Sequence, residues 1–124
     1  MRQTLEQWLD YVGGLHPIKW DLTLDRVSEV ARRLGVVQPA RQVILVAGTN
    51  GKGSCCEALA ALATGAGVSF GVTTSPHLRR FNERIRINGV EATDLQIISA
   101  FEQIESTRSD TSLSYFEFAC LAAL

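Results

Sequence analysis

Residues Gln42 to Ser54 read QVILVAGTNGKGS. The apolar run Val43 to Ala47 has the composition of a strand buried on both faces, as in a parallel sheet. It feeds a turn that carries Gly48, Gly51 and Gly53 around one lysine, Lys52. A helix-compatible segment, CCEALAALATGAG, follows, and the helix is expected over about Gly53 to Ala66. Strand, glycine loop, lysine and helix in that order make an anion site. Loop and helix N–H groups point at a phosphate, and the lysine adds a full charge. Glycine is mainly useful where the backbone takes a positive φ or approaches another group closely. The plain alternative is a tight turn with one solvated lysine, which does not account for a lysine set between two glycines. The candidate phosphate-binding residues are Gly48, Thr49, Asn50, Gly51, Lys52, Gly53 and Ser54, with Lys52 as the catalytic charge.

The loop departs from the pattern G-x-x-x-x-G-K-[ST] at two points. Val46 stands where the first glycine would be, and Gly53 follows Lys52, so the hydroxyl arrives one place later at Ser54. Outward from the helix, Ser69 to Thr74 reads as a second strand. Strand, helix and strand with short links predict a right-handed βαβ unit. Next comes SPHLRRFNERIR. Arg79, Arg80, Arg84 and Arg86 are four of the chain's twelve basic residues, in eight positions. Glu83 is the acid that offsets them there. Either this is a solvated charged loop, the reading that suits Arg86, or the arginines face anionic substrate groups. Ligands of open α/β sheets bind beyond the carboxyl ends of strands, where Ser75 would offer a hydroxyl to a metal. His77 reads as a structural histidine. With few apolar anchors other than Leu78 and Phe81, the loop is expected to be poorly ordered without ligand. Ile85 and Ile87 alternate with polar residues, and Asn88-Gly89 signals a two-residue hairpin.

The flanks read as helices. Thr4 and Gln7 have capping-box spacing, and Leu5, Trp8, Leu9 and Val12 share a face before Gly13-Gly14. The loop LHPIKWDLTLDR leads to a helix near Leu24 to Leu34, with Leu24, Val27, Ala31 and Leu34 inward and Gly35 as C-cap. On physical grounds that loop is an ordinary connector in which Asp21 or Thr23 caps the helix. Thr93 and Asp94 open another helix with Leu95, Ile98, Phe101 and Ile104 as its core stripe. Ser114 and Glu117 again have capping-box spacing, which alone would explain both.

The chain has 124 residues and is 46% hydrophobic, as suits one compact domain. Its net charge of −1 gives no basic field to recruit nucleic acid. No run of eighteen apolar residues is present, and the amphipathic N-terminus does not read as a secretory signal, so no membrane partner is expected. Three cysteines, two of them adjacent at Cys55 and Cys56, make a poor disulfide framework and lack zinc spacing. Reduced thiols suit a cytoplasmic protein. The final FEFACLAAL is helical without a stop signal, so an N-terminal piece of a longer chain is expected. A GTPase would call for N-K-x-D, and none occurs.

AGTNGKGS and SPHLRRFNERI, with LHPIKWDLTLDR before them and LSYFEFACLAAL after, closely resemble the folylpolyglutamate synthase and dihydrofolate synthase family. These are folate ligases related to the Mur ligases, and the match touches nearly the whole chain. The resemblance implies an α/β fold: a P-loop-containing, Mur-ligase-like ATPase domain with a mostly parallel sheet flanked by helices, here truncated. Residues 1–124 would be the N-terminal part of that ATP-binding domain. The rest of it and a C-terminal glutamate-binding domain would be absent. The implied activity is ATP-dependent addition of L-glutamate to dihydropteroate and to tetrahydrofolate and its polyglutamates through an acyl phosphate. This stretch alone would be inactive. ATP and Mg2+ are the implied cofactors, with Ser75 as a magnesium ligand and the other ligands supplied beyond Leu124. The pteroate or folate site would draw on Asp21, Leu22, Arg80, Ser114, Tyr115, Phe116 and Glu117. Tyr115 or Phe116 would give the flat pterin a face and Asp21 a polar edge, although the family often has threonine at Ser114. The implied parent is a cytoplasmic monomer. A Mur-type amino-acid ligase would share the glycine loop, but SPHLRRFNERI and LSYFE resemble the folate branch. A non-catalytic P-loop nucleotide-binding module is the alternative of a different class.

Overall fold

The computed structural model describes residues 2–17 and 23–124. In chain order its elements are α1 (Leu5–Gly14), α2 (Asp25–Leu34), α3 (Lys52–Gly65), β1 (Gly71–Thr73), a 3-10 turn (Phe81–Arg84), β2 (Ile85–Ile87), β3 (Val90–Glu91), α4 (Asp94–Arg108) and α5 (Tyr115–Ala123). They fall into two compact units. The first spans residues 1–41 and 94–122 with Leu124, and the second spans 42–93 with Ala123. No helix among the described residues is long and apolar enough to cross a membrane.

The first unit is helical. At the start of α1 the Thr4 hydroxyl accepts from Gln7 N at 3.2 Å, and Gln7 Oε1 accepts from Thr4 N at 3.3 Å. This is the capping box that the spacing predicts. Leu5, Trp8 and Val12 are buried on one face. α2 ends at Gly35, whose φ of 74° is the left-handed cap. Its buried residues are Val30 and Ala31, with Val27 and Leu34 only half-buried and Leu24 exposed. Leu24 was expected inward, but it stands at the N-cap, before the helical period begins. α4 packs against both α1 and α2. Its buried stripe is Ile97, Phe101 and Ile104, and Leu95 of the expected stripe is exposed. Leu95, Ile97 and Ile98 crowd its first turn and allow two phases, so packing decides. Phe101 joins Trp8, ring centroids 5.8 Å apart, to Phe118 of α5 at 5.2 Å in an edge-to-face pair. Each such fully buried ring contributes about 2–3 kcal/mol. At the edge of this core the Tyr11 hydroxyl donates to Glu105 at 2.7 Å, and Arg108 Nε donates to the same carboxylate at 2.8 Å. His16 Nδ1 lies 2.6 Å from the Ser112 hydroxyl.

The second unit holds a three-stranded sheet in the order β1-β2-β3, with both pairings antiparallel. Arg86 faces Val72 on one side and Glu91 on the other. The Asn88-Gly89 hairpin forms as predicted, with φ of 51° and 82°. Asn88 also accepts Phe70 N on its side-chain oxygen at 2.9 Å. Phe81, Ile85 and Ala92 are buried, and the buried Asn82 amide donates to the Ala92 carbonyl at 2.9 Å.

Two expectations shift here. The run Gln42 to Ala47 forms no strand and pairs with none among the described residues, so the parallel βαβ pairing does not form. Val43, Ile44 and Leu45 are 66%, 71% and 89% exposed. A strand exists only where its backbone groups find partners, and the described partner of β1 is β2. The second predicted strand is likewise shorter, Gly71–Thr73 within 69–74.

Candidate functional site

Helix α3 begins at Lys52, one residue before its predicted start, and Gly51 is its N-cap with φ of 76° and no side-chain cap. That backbone conformation suits glycine and penalises any residue with a Cβ. A helix N-terminus leaves its first N–H groups without intrahelical partners and carries the positive end of the helix dipole. No acidic side chain stands in this first turn. All residues from Gly48 to Ser54 are exposed. Lys52 Nζ donates to the Gly48 carbonyl at 2.6 Å, which curls the loop back over the helix start. The ammonium and the open N–H groups thus sit together on one exposed turn. Such a turn can hold a phosphate.

Ser75 lies two residues beyond β1, exposed, with a cis peptide bond to Pro76. The loop after it has an anchor that composition did not suggest. The Glu83 carboxylate accepts Leu78 N, Arg79 N and Arg80 N, each at 2.8 Å. Those N–H groups, Leu78 first, hold its pKa at about 2, with His77 adding a smaller charge effect. Phe81 is buried beside this clamp and Leu78 is exposed. The loop, expected to be poorly ordered without ligand, is therefore tied to itself. Arg80 Nη2 donates to Glu91 Oε2 at 2.5 Å, an ion pair at the surface. Arg84 Nε donates to His77 Nδ1 at 2.7 Å, and the His77 ring meets Phe81 edge-on at 6.2 Å, which is the structural role expected for this histidine. Arg86 corrects its solvated reading: it holds both carboxylate oxygens of Glu57 on α3, and its side chain is 17% exposed.

In the helical unit, Ser114 and Glu117 form a capping box at the start of α5. Ser114 N donates to Glu117 Oε2 at 2.8 Å, and Arg26 reaches both carboxylate oxygens at 3.2 Å. Glu117 is buried, whereas Phe116 is exposed and Tyr115 half-buried. Asp21 and Leu22 lie outside the described residues. Sequence reading missed the Glu83 clamp and the Arg26 partner. The first had a signal in the three-residue spacing of Arg80 and Glu83, which is that of a cap. The second pairs residues 91 apart in sequence, for which no local pattern exists.

No family model matches the chain. Among curated proteins it is 49% identical over 120 residues to the dihydrofolate synthase/folylpolyglutamate synthase of Escherichia coli K12, covering 97% of this chain and 28% of that protein. The E. coli FolC structure in complex with DHPP and ADP superposes with a TM-score of 0.96 at 48% identity, over 98% of this chain and 29% of that one. The chain belongs to the dihydrofolate synthase/folylpolyglutamate synthase family. A further family structure, a bifunctional enzyme with Mn, AMPPNP and L-glutamate bound, gives a TM-score of 0.91 at 46% identity, over 98% of this chain and 29% of that one. The family likeness establishes the α/β, Mur-ligase-like fold class. The chain spans less than a third of the length of these family members.

Proposed function

We propose that this chain is the phosphate-binding part of an ATP-dependent ligase that joins L-glutamate to dihydropteroate and to tetrahydrofolate or its polyglutamates. The observation that carries this reading is the uncapped, exposed start of α3 with Lys52 on it, in a chain whose family relatives bind ADP or AMPPNP. A carboxylate resists attack by an amine because its own charge repels the incoming electrons. Bound ATP supplies the γ-phosphoryl group that turns the carboxylate into an acyl phosphate, which the glutamate amine attacks as phosphate leaves. Lys52 and the N–H groups of Thr49 to Gly53 neutralise the phosphate charge and hold it in line. Among the described residues no group of three His, Cys, Asp or Glu side chains is gathered as for a protein-caged metal. Mg2+ fits such a site as an ion that keeps waters and phosphate oxygens, with the Ser75 hydroxyl as one protein ligand.

The pterin end is assigned to Asp21, Leu22, Arg80 and Ser114 to Glu117. The exposed Phe116 ring and the half-buried Tyr115 are the faces available for stacking, while Ser114 and Glu117 shape the start of α5. The longer protein acts as a cytoplasmic monomer in this reading. Lys52→Ala in the full-length protein tests the reading. Loss of one preorganised charge is expected to lower kcat by about 10²–10³-fold, or about 3–4 kcal/mol, with the circular dichroism spectrum unchanged. Near-normal turnover by that variant would remove Lys52 from the chemistry.

A further inference from the structure

Helix α3 carries the glycine loop at its start, yet none of its side chains is fully buried. Its inner face is a half-buried row of Cys56, Leu59, Ala60 and Ala63, a smooth surface that does little to fix rotation or sliding. A specific tie comes from one residue of the sheet. Arg86, in the middle of β2, grips Glu57 through both terminal guanidinium nitrogens, Nη1 at 3.0 Å from Oε2 and Nη2 on Oε1. Bidentate geometry of this kind fixes direction as well as distance. The two partners are unequal: Arg86 is largely covered, its side chain 17% exposed, whereas Glu57 is 58% exposed. The fixed end is therefore on the sheet and the held end on the helix. Arg86 pairs with Val72 of β1, and Ser75 follows three residues after Val72, two beyond the end of that strand. One ion pair thus connects the sheet whose strand β1 leads on to Ser75 to the helix that begins at Lys52.

We propose that Arg86 is a positioning residue: by holding Glu57 it sets the helix that carries the phosphate loop in register with Ser75, so that one divalent cation can meet both the nucleotide phosphates and the Ser75 hydroxyl. This rests on the nucleotide reading given above. Arg86 touches neither nucleotide nor metal in this role. Its effect is a coupling between two parts of one site, so it shows as the gain in nucleotide affinity that Mg2+ brings rather than as affinity for nucleotide alone. The charges on Arg86 and Glu57 reinforce each other, the hydrogen bond lowering the pKa of Glu57 and raising that of Arg86. The pair therefore persists across the neutral range.

The test uses the full-length protein and a fluorescent ADP analogue, titrated with and without Mg2+, together with amide hydrogen exchange. Arg86→Ala and Glu57→Gln are each expected to reduce the Mg2+-dependent gain in affinity by about tenfold, as a coupling of this kind typically measures. Affinity in the absence of Mg2+ should stay within about twofold, and exchange of the α3 amides should rise. The exchanged pair, Glu57→Arg with Arg86→Glu, is expected to restore both readouts. That variant separates positioning from general damage to the sheet. Unchanged α3 exchange and an unchanged Mg2+ gain in Arg86→Ala would overturn the proposal while leaving the nucleotide reading intact. Failure of the exchanged pair to restore either readout would also overturn it. No nucleotide binding by the unaltered full-length protein would overturn the nucleotide reading, and with it the role given to Arg86.

Discussion

A single carboxylate organises the most arginine-rich loop of the chain. Glu83 gathers three successive N–H groups, and those bonds hold it ionised down to about pH 2, against an ordinary glutamate value near 4.5. Because the folded value is the lower one, the contribution to loop order is complete above about pH 4.5 and disappears as pH falls through 2. The amides of Leu78, Arg79 and Arg80 are therefore expected to be protected at pH 6 and to lose protection between pH 4.5 and 2. In Glu83→Gln that protection should be low already at pH 6 and flat across the window. Hydrogen exchange read by NMR checks both, and a pH-independent pattern in the unaltered chain would contradict the clamp. Glu117 teaches a related lesson. Its capping spacing with Ser114 was readable because a cap is local, but its ion pair with Arg26 reaches across the fold. A substitution there would mix loss of structure with any loss of substrate contact.

At the scale of elements, what was readable was whatever three or four neighbouring residues decide. The Thr4 and Ser114 caps, the Gly35 stop and the Asn88-Gly89 turn formed where expected. The Gly48 to Ser54 loop likewise opens onto solvent at a helix start, as its glycines and lysine required. The phase of α4 and the pairing of residues 42–47 were not readable, because each depends on partners distant in sequence. Three large apolar side chains in that second segment, Val43, Ile44 and Leu45, face solvent with no strand beside them among the described residues. An uncharged β-branched run with free backbone groups is a template for pairing with other chains. The chain on its own is therefore expected to self-associate as its concentration rises. Leu45→Lys, at the most exposed of these positions, should suppress that association while changing unfolding stability by no more than about 0.5 kcal/mol. Light scattering and urea unfolding measure the two effects separately.

As a molecule, the chain combines a helical unit with a well-filled aromatic core and a second unit whose sheet has three short strands. It spans less than a third of the length of its relatives, and the chemistry proposed above needs several groups held at once. Purified as 124 residues, it is expected to release no ADP in response to added dihydropteroate and glutamate, even where it retains weak nucleotide binding. A coupled ADP assay with both substrates decides this, and turnover at the rate of the full-length protein would show the chain to be complete for catalysis. The partition into two units also has an optical consequence. Trp8 and both tyrosines, Tyr11 and Tyr115, belong to the helical unit, and residues 42–93 contain no tryptophan or tyrosine. Trp8 is packed against Phe101 and covered by the Arg2 guanidinium, 5.0 Å from its ring. Intrinsic emission will therefore follow the melting of the helical core, while the glycine loop and its sheet stay dark unless the nucleotide carries its own fluorophore.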